Sequence, residues 1–196
     1  MMQDLLVTIQ NYQPFNEQEA KDKELFIEQL QTNPQFFTRE SKLAHVSVSA
    51  WIVSPDRKKV LMAYHNIYQS WAWLGGHADG CSDLKAVIKR EIAEESGLTD
   101  SIFLSEDLFA IEVLTVDGHQ KAGQYVSSHL HFNCTYLLEA DPSLPLSIQP
   151  SENSQVAWLE IKKLAELVSE EWIQHNIYQK LVDKMNQQFP LKKGAI

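Results

Sequence analysis

Between His45 and Val53 the residues alternate, with Val46, Val48, Ala50 and Ile52 on one side and His45, Ser47, Ser49 and Trp51 on the other. That two-residue period predicts a strand with a polar second face. Ser54, Pro55 and Asp56 supply turn residues, and strand character resumes from Val60 to His65, so a hairpin is expected. Further strands are expected over 108–116, over 125–138 and around Val156 to Leu159. In the second of these, Leu130, Phe132, Cys134 and Tyr136 alternate with His129, His131, Asn133 and Thr135. A loop holding Trp71, Trp73 and the Gly75-Gly76 pair follows the hairpin, and Pro142, Pro145 and Pro150 mark an irregular late connection.

Helical spacing interleaves with these strands. Asn16 offers a cap, Leu25, Phe26, Ile27 and Leu30 form a stripe, and Asn33-Pro34 stops the run, predicting a helix over about 17–31. Leu84, Val87, Ile88 and Ile92 recur at helical spacing after Ser82 or Asp83, with Gly97 where a terminating glycine belongs. Two closing helices are expected over about 160–168 and 170–187, the second carrying Ile173, Ile177, Leu181 and Met185 on one stripe.

The composition narrows the partners. With 196 residues, 44% hydrophobic and 22% charged, the chain is expected to bury one main core. The net charge of −9 and the scattered Lys58-Lys59, Lys162-Lys163 and Lys192-Lys193 pairs argue against a nucleic-acid polymer as ligand. An anionic substrate would have to bring metal ions with it. Cys81 and Cys134 form no paired motif, and the start of the chain has no basic, apolar leader, so a cytoplasmic protein without export or membrane insertion is expected. A homodimer would not be surprising, although nothing in the composition fixes it.

Within the central helix, Glu91, Glu94 and Glu95 stand at i, i+3 and i+4 and project from neighbouring positions. Alone such a trio reads as a solvated acidic face. A divalent cation turns the repulsion into attraction, and hard carboxylate oxygens are what Mg²⁺ or Mn²⁺ takes. Gly75-Gly76 before the helix lets the backbone approach a ligand closely, and Gly97 ends the helix directly after the carboxylates.

Here the chain resembles the Nudix hydrolase family. Gly76, Arg90, Glu91, Ile92, Glu94, Glu95, Gly97 and Leu98 match its signature at the required spacing, and Ser82 stands in place of its first glutamate. Leu74 is a milder departure, where many members carry proline. The resemblance implies an α/β (α+β) fold, a mixed β-sheet flanked by helices, with an N-terminal helical extension (1–41), the Nudix domain (42–168) and a C-terminal helix packed on it (169–196). It implies Glu91, Glu95 and the Gly76 carbonyl as metal ligands for Mg²⁺ or Mn²⁺, Glu94 as ligand or base, Glu152 as a second candidate base from a facing loop, and Arg90 as the box arginine. Loss of the glutamate at Ser82 removes a partner from Arg90, and Asp83 is a candidate substitute.

The expected reaction is hydrolysis of a pyrophosphate bond in a small nucleotide-like diphosphate. Two alternatives use the same scaffold. One is a silent nucleotide-binding module, motivated by Ser82. The other is an isopentenyl-diphosphate isomerase-like enzyme, which ranks last because Gly76 occupies the position ahead of His77 where that reaction's cysteine is expected.

Other residues read two ways. His129 and His131, with His119, suggest either a metal site or a hydrogen-bonded polar face, and His77, His129 and His131 are candidates for the substrate cleft, which His45 and His65 could join. Trp73, with Trp71, is a candidate for stacking a base or for packing, and Tyr64, Tyr68 and Tyr125 share that ambiguity. Glu112, on an otherwise apolar strand face, reads equally as an edge residue or a cleft carboxylate. Cys81 reads as unreactive.

Overall fold

The computed structural model describes residues 2–121 and 123–191. In chain order they form helices α1 (Met2–Asn11) and α2 (Glu17–Thr32), strands β1 (Ala44–Val53), β2 (Lys59–His65), β3 (Ser70–Ala72) and β4 (Leu74–His77), and helix α3 (Leu84–Ser96). Strands β5 (Ile102–Phe103), β6 (Ala110–Val116), β7 (His119–Lys121), β8 (Gln124–Val126), β9 (His129–Glu139) and β10 (Asn153–Glu160) follow, then helices α4 (Leu164–Leu167), α5 (Glu171–Ile173) and α6 (Gln179–Gln188). The strand path is β10-β2-β1-β9-β5, with β3 on β2, β4 on β1 and β6 on β9, while β7 and β8 form a separate ribbon. This is the mixed sheet with flanking helices that the resemblance implies, with helices both before and after it.

The chain divides into two compact units. The first comprises Met1–Ser49, Gly75–Arg90 and Asp107–Tyr136, and the second Ala50–Leu74, Glu91–Glu106 and Leu137–Ile196. In the first, Asn16 caps α2 as expected by accepting from the Glu19 amide at 2.9 Å. Phe26 of α2 and Phe36 meet Phe132 of β9 edge to face at 5.0 and 4.9 Å. Asp22 of α2 accepts the Val113 amide of β6 at 3.1 Å, giving that strand donor a partner. Helix α1, which the sequence reading did not foresee, buries Leu5, Leu6 and Ile9. Behind it the fully buried Glu19 accepts the Tyr12 hydroxyl at 2.6 Å and the Phe15 amide at 2.8 Å.

The expected polar face of β1 is not open to water, because all ten of its residues are buried. Ser47 and Ser49 donate to the Asn133 carbonyl oxygen at 3.1 and 2.9 Å. The Asn133 amide in turn donates to Glu112 at 3.0 Å, as Thr135 does at 2.8 Å. Glu112, on a strand that pairs with β9, is therefore a fully buried network member and not an exposed cleft carboxylate. The 70–77 region, expected as a loop, forms β3 and β4. Gly75 explains part of this: a Cβ there would lie 2.4 Å from the Val48 carbonyl oxygen, so only glycine lets β4 come so close.

In the second unit the predicted hairpin pairs Val53 with Val60, and Arg57 takes a left-handed φ of 57° in its turn. Strand β10 then pairs antiparallel with β2, placing Trp158 opposite Leu61. Gly97 ends α3 at φ 70°, its amide donating to the Ala93 carbonyl at 3.0 Å, as the terminating glycine predicts. The expected 125–138 strand is interrupted between β8 and β9. The expected 160–168 helix is a 3₁₀ turn, Ile161–Lys163, followed by the short α4. In the last helical stretch a π turn, Gln174–Tyr178, separates α5 from α6, while Ile177, Leu181 and Met185 are buried on the expected stripe. Residues 192–196 of the expected 169–196 segment, with the Lys192-Lys193 pair, lie outside the described residues.

Candidate active site on helix α3

Helix α3 starts where Asp83 accepts the Ala86 amide at 3.0 Å, so Asp83 rather than Ser82 is the cap. Its last two turns carry Glu91, Glu94 and Glu95. Glu95 is buried with 8% exposure, Glu91 is half-buried and Glu94 is exposed, as is Arg90. No basic residue occupies the last turn, where the helix dipole is itself negative. Three carboxylates at such spacing repel one another, and a divalent cation relieves that with oxygen ligands. The donor set fits a hard cation such as Mg²⁺ or Mn²⁺.

A turn from the late loop closes on this end of the helix. The Asn153 side-chain amide donates to the Glu95 carbonyl at 3.0 Å, and its side-chain oxygen accepts the Gln149 amide at 3.2 Å. The Ser147 amide donates to the Ser96 carbonyl at 2.8 Å. Two carbonyls that the helix leaves over are thereby satisfied. Glu152 is held in the same turn, its amide on the Gln149 carbonyl at 2.8 Å and its carbonyl accepting the Asn66 amide at 2.9 Å. The turn thus fixes the chain carrying Glu152 to the end of the helix carrying Glu95. Sequence reasoning selected Glu152 but missed Asn153, which is 2% exposed. The available signal was an asparagine between a proline-marked loop and a strand. Gly76 lies in the first unit, on β4, half-buried.

The histidines of the first unit come together more closely than their sequence positions suggest. One ring nitrogen each of His45, His77, His129 and His131 lies within 4.8 Å of the others. His131 Nε2 is 3.2 Å from His77 Nε2 and 3.2 Å from His129 Nε2. Burial, then the neighbouring histidines, push His131 down to about 2, and burial lowers His45. His119, bonded through Nδ1 to the Asp117 carbonyl, and His65, stacked on Tyr68 at 4.3 Å, are not among the four. Trp73 packs edge to face on Tyr178 at 5.4 Å, and Trp71 on Tyr64 at 5.6 Å. Cys81 and Cys134 are both free, and burial raises the Cys134 thiol.

A model of the NUDIX domain matches residues 43–181, most of the chain. The chain belongs to the Nudix family. Similar solved structures include an Ap4A hydrolase from C. elegans, 16% identical over 72% of this chain and 95% of that one, TM-score 0.52. Another is the NUDIX domain of Shewanella oneidensis NrtR complexed with ADP ribose, 17% identical over 82% and 96%, TM-score 0.50. A third is the E. coli dihydroneopterin triphosphate pyrophosphohydrolase, 17% identical over 70% and 94%, TM-score 0.51. At these identities the likeness is one of fold. None of the curated proteins matches this chain. Within the Nudix frame, Ser82 is exposed one residue ahead of the cap, so the departure from the signature sits at the loop and leaves the three glutamates of α3 in place.

Proposed function

We propose that this Nudix protein hydrolyses a pyrophosphate bond in a small nucleotide-like diphosphate, with Mg²⁺ or Mn²⁺ held by Glu91 and Glu95. The observation that carries the reading is the carboxylate end of α3, clamped by Asn153 to the turn that bears Glu152. When bound, a divalent cation neutralises phosphoryl oxygens and lowers the pKa of water. The chain's part is to hold and to take a proton. Glu94 or Glu152 accepts the proton of the attacking water as its oxygen bonds to phosphorus and the bridging oxygen leaves. Arg90, one residue before Glu91, adds positive charge to that end of the helix. Ap4A, ADP ribose and dihydroneopterin triphosphate, for which the similar solved structures are named, make up the substrate panel.

The test is turnover of that panel by the purified chain with and without Mg²⁺, beside Glu95→Gln. Metal-dependent release of two phosphorylated products, lost in the variant, is expected. Turnover unchanged in Glu95→Gln sinks the reading. Ser82 favours a second reading, a binding module without chemistry, which would give a calorimetric isotherm for one panel member and no product.

A further inference from the structure

We propose that His45, His77, His129 and His131 form an all-imidazole site for a divalent transition-metal ion, with zinc the best fit, separate from the carboxylates of α3. The four come from the start of β1, the end of β4 and the start of β9, all within the first unit. Nothing about His129 and His131 alone requires a metal. The case rests on what the four rings do to one another.

Two of the rings have their tautomers set by backbone carbonyls. His45 Nδ1 lies 3.1 Å from the Ser41 carbonyl and His129 Nδ1 lies 2.8 Å from the Ser127 carbonyl. A carbonyl only accepts, so both Nδ1 atoms carry the proton and both Nε2 atoms present lone pairs. This is the arrangement by which outer partners orient histidine ligands. His45 Nε2 is buried without a hydrogen-bond partner, on a residue 5% exposed. An orphaned lone pair of this kind is costly unless something positive meets it.

Hydrogen bonding among the rings does not resolve the cluster. With His129 Nε2 an acceptor, the His131 Nε2 contact is satisfied only if His131 carries the proton there. That one proton would then be split between His129 and His77, while His45 Nε2 would still have none. One cation facing all four lone pairs satisfies every ring at once.

The spacing agrees. With Zn–N bonds of about 2.0–2.1 Å, a tetrahedron has N···N edges of about 3.3–3.4 Å. The two Nε2 separations from His131 are 3.2 Å, and all four nitrogens fall within 4.8 Å, so small ring rotations close the set. Four protein ligands leave no open position, so the ion would be structural. It would tie β1, β4 and β9 together and anchor His77, the neighbour of Gly76. The histidines expected at the substrate thereby take a different role. Imidazole nitrogen suits zinc, whereas the α3 oxygens suit magnesium, so the two sites do not compete for one ion.

The test uses the full chain without a polyhistidine tag. After zinc loading and dialysis, metal analysis is expected to find close to one zinc per chain, kept in Glu95→Gln and reduced at least about tenfold in His131→Ala and in His129→Ala. Chelator-stripped wild-type protein given Co²⁺ should show the intense visible absorption of tetrahedral cobalt, removed by one equivalent of zinc. The cobalt arm needs no variant to fold. Wild-type protein that keeps no zinc, or zinc retained by both histidine variants, overturns the proposal. So does zinc lost only in Glu95→Gln, or cobalt showing only the weak absorption of octahedral oxygen ligation.

Discussion

Replacing Asn153 isolates the clamp from the carboxylates it positions. In Asn153→Ala the buried Glu95 carbonyl loses its donor and the half-buried Gln149 amide loses its acceptor. A buried polar group left unpaired costs ~1–3 kcal/mol, and water can replace part of the Gln149 bond. The variant should therefore lose about 2–3 kcal/mol in denaturant unfolding. Asn153→Asp keeps the shape and the acceptor but sets a carboxylate oxygen against the Glu95 carbonyl, beside Glu91, Glu94 and Glu95. It should be less stable than the alanine variant at neutral pH, and its deficit should shrink as pH falls and the carboxyl protonates. Because partners behind a metal site typically contribute 10–100-fold, kcat/KM should fall about 10–100-fold in both variants, with a higher Mg²⁺ requirement. A loss below about 0.5 kcal/mol in Asn153→Ala, or wild-type kinetics and magnesium dependence in both, would refute the clamp.

Tyr12→Phe removes the 2.6 Å hydroxyl bond to the buried Glu19 and should cost about 1.5–3 kcal/mol in thermal or urea unfolding. Burial first, then the Glu19 charge, raises the Tyr12 hydroxyl above its ordinary value. Its contribution is thus intact below about pH 10, lost as pH rises beyond it, and the alkaline decline should be shallower in the variant. Asn133→Ala strands the Ser47 and Ser49 hydroxyls and takes one donor from the buried Glu112, so about 3–5 kcal/mol should be missing from its unfolding free energy; a loss under 1 would show that the network contributes little.

The parts of the fold legible in the sequence are those whose burial repeats with a fixed period. Val46, Val48, Ala50 and Ile52 announce β1, and Leu84 to Ile92 with Gly97 announce α3, because one packed face imposes the spacing. Short or interrupted elements leave weaker marks. Strands β3 and β4 hold three and four residues, too few for alternation, and Gly75 reads as a loop residue until Val48 is found against it. Helix α1 shows neither a cap nor a breaker strong enough to separate it from the polar residues around it. At the candidate site, the glutamate trio was legible from spacing, and Glu152 was named only through the family resemblance. Asn153 was not legible, and although His45, His77, His129 and His131 were named as candidates, their convergence was not legible, since it depends on register: His45 and His77 meet His129 and His131 only after three strands have paired. The polarity of Ser47, Ser49 and Glu112 was read correctly, but its direction was not, because a buried polar network and a solvent face leave the same alternation in a sequence.

The central claim, that the carboxylate end of α3 cuts a pyrophosphate bond, is tested most directly by product analysis of one panel substrate. Wild-type chain and Glu95→Gln are compared across a magnesium titration, with circular dichroism confirming that both are folded. The account predicts magnesium-dependent release of two phosphorylated products by the wild type and a loss of at least about 100-fold in the variant. Equal turnover by the two folded proteins would contradict it.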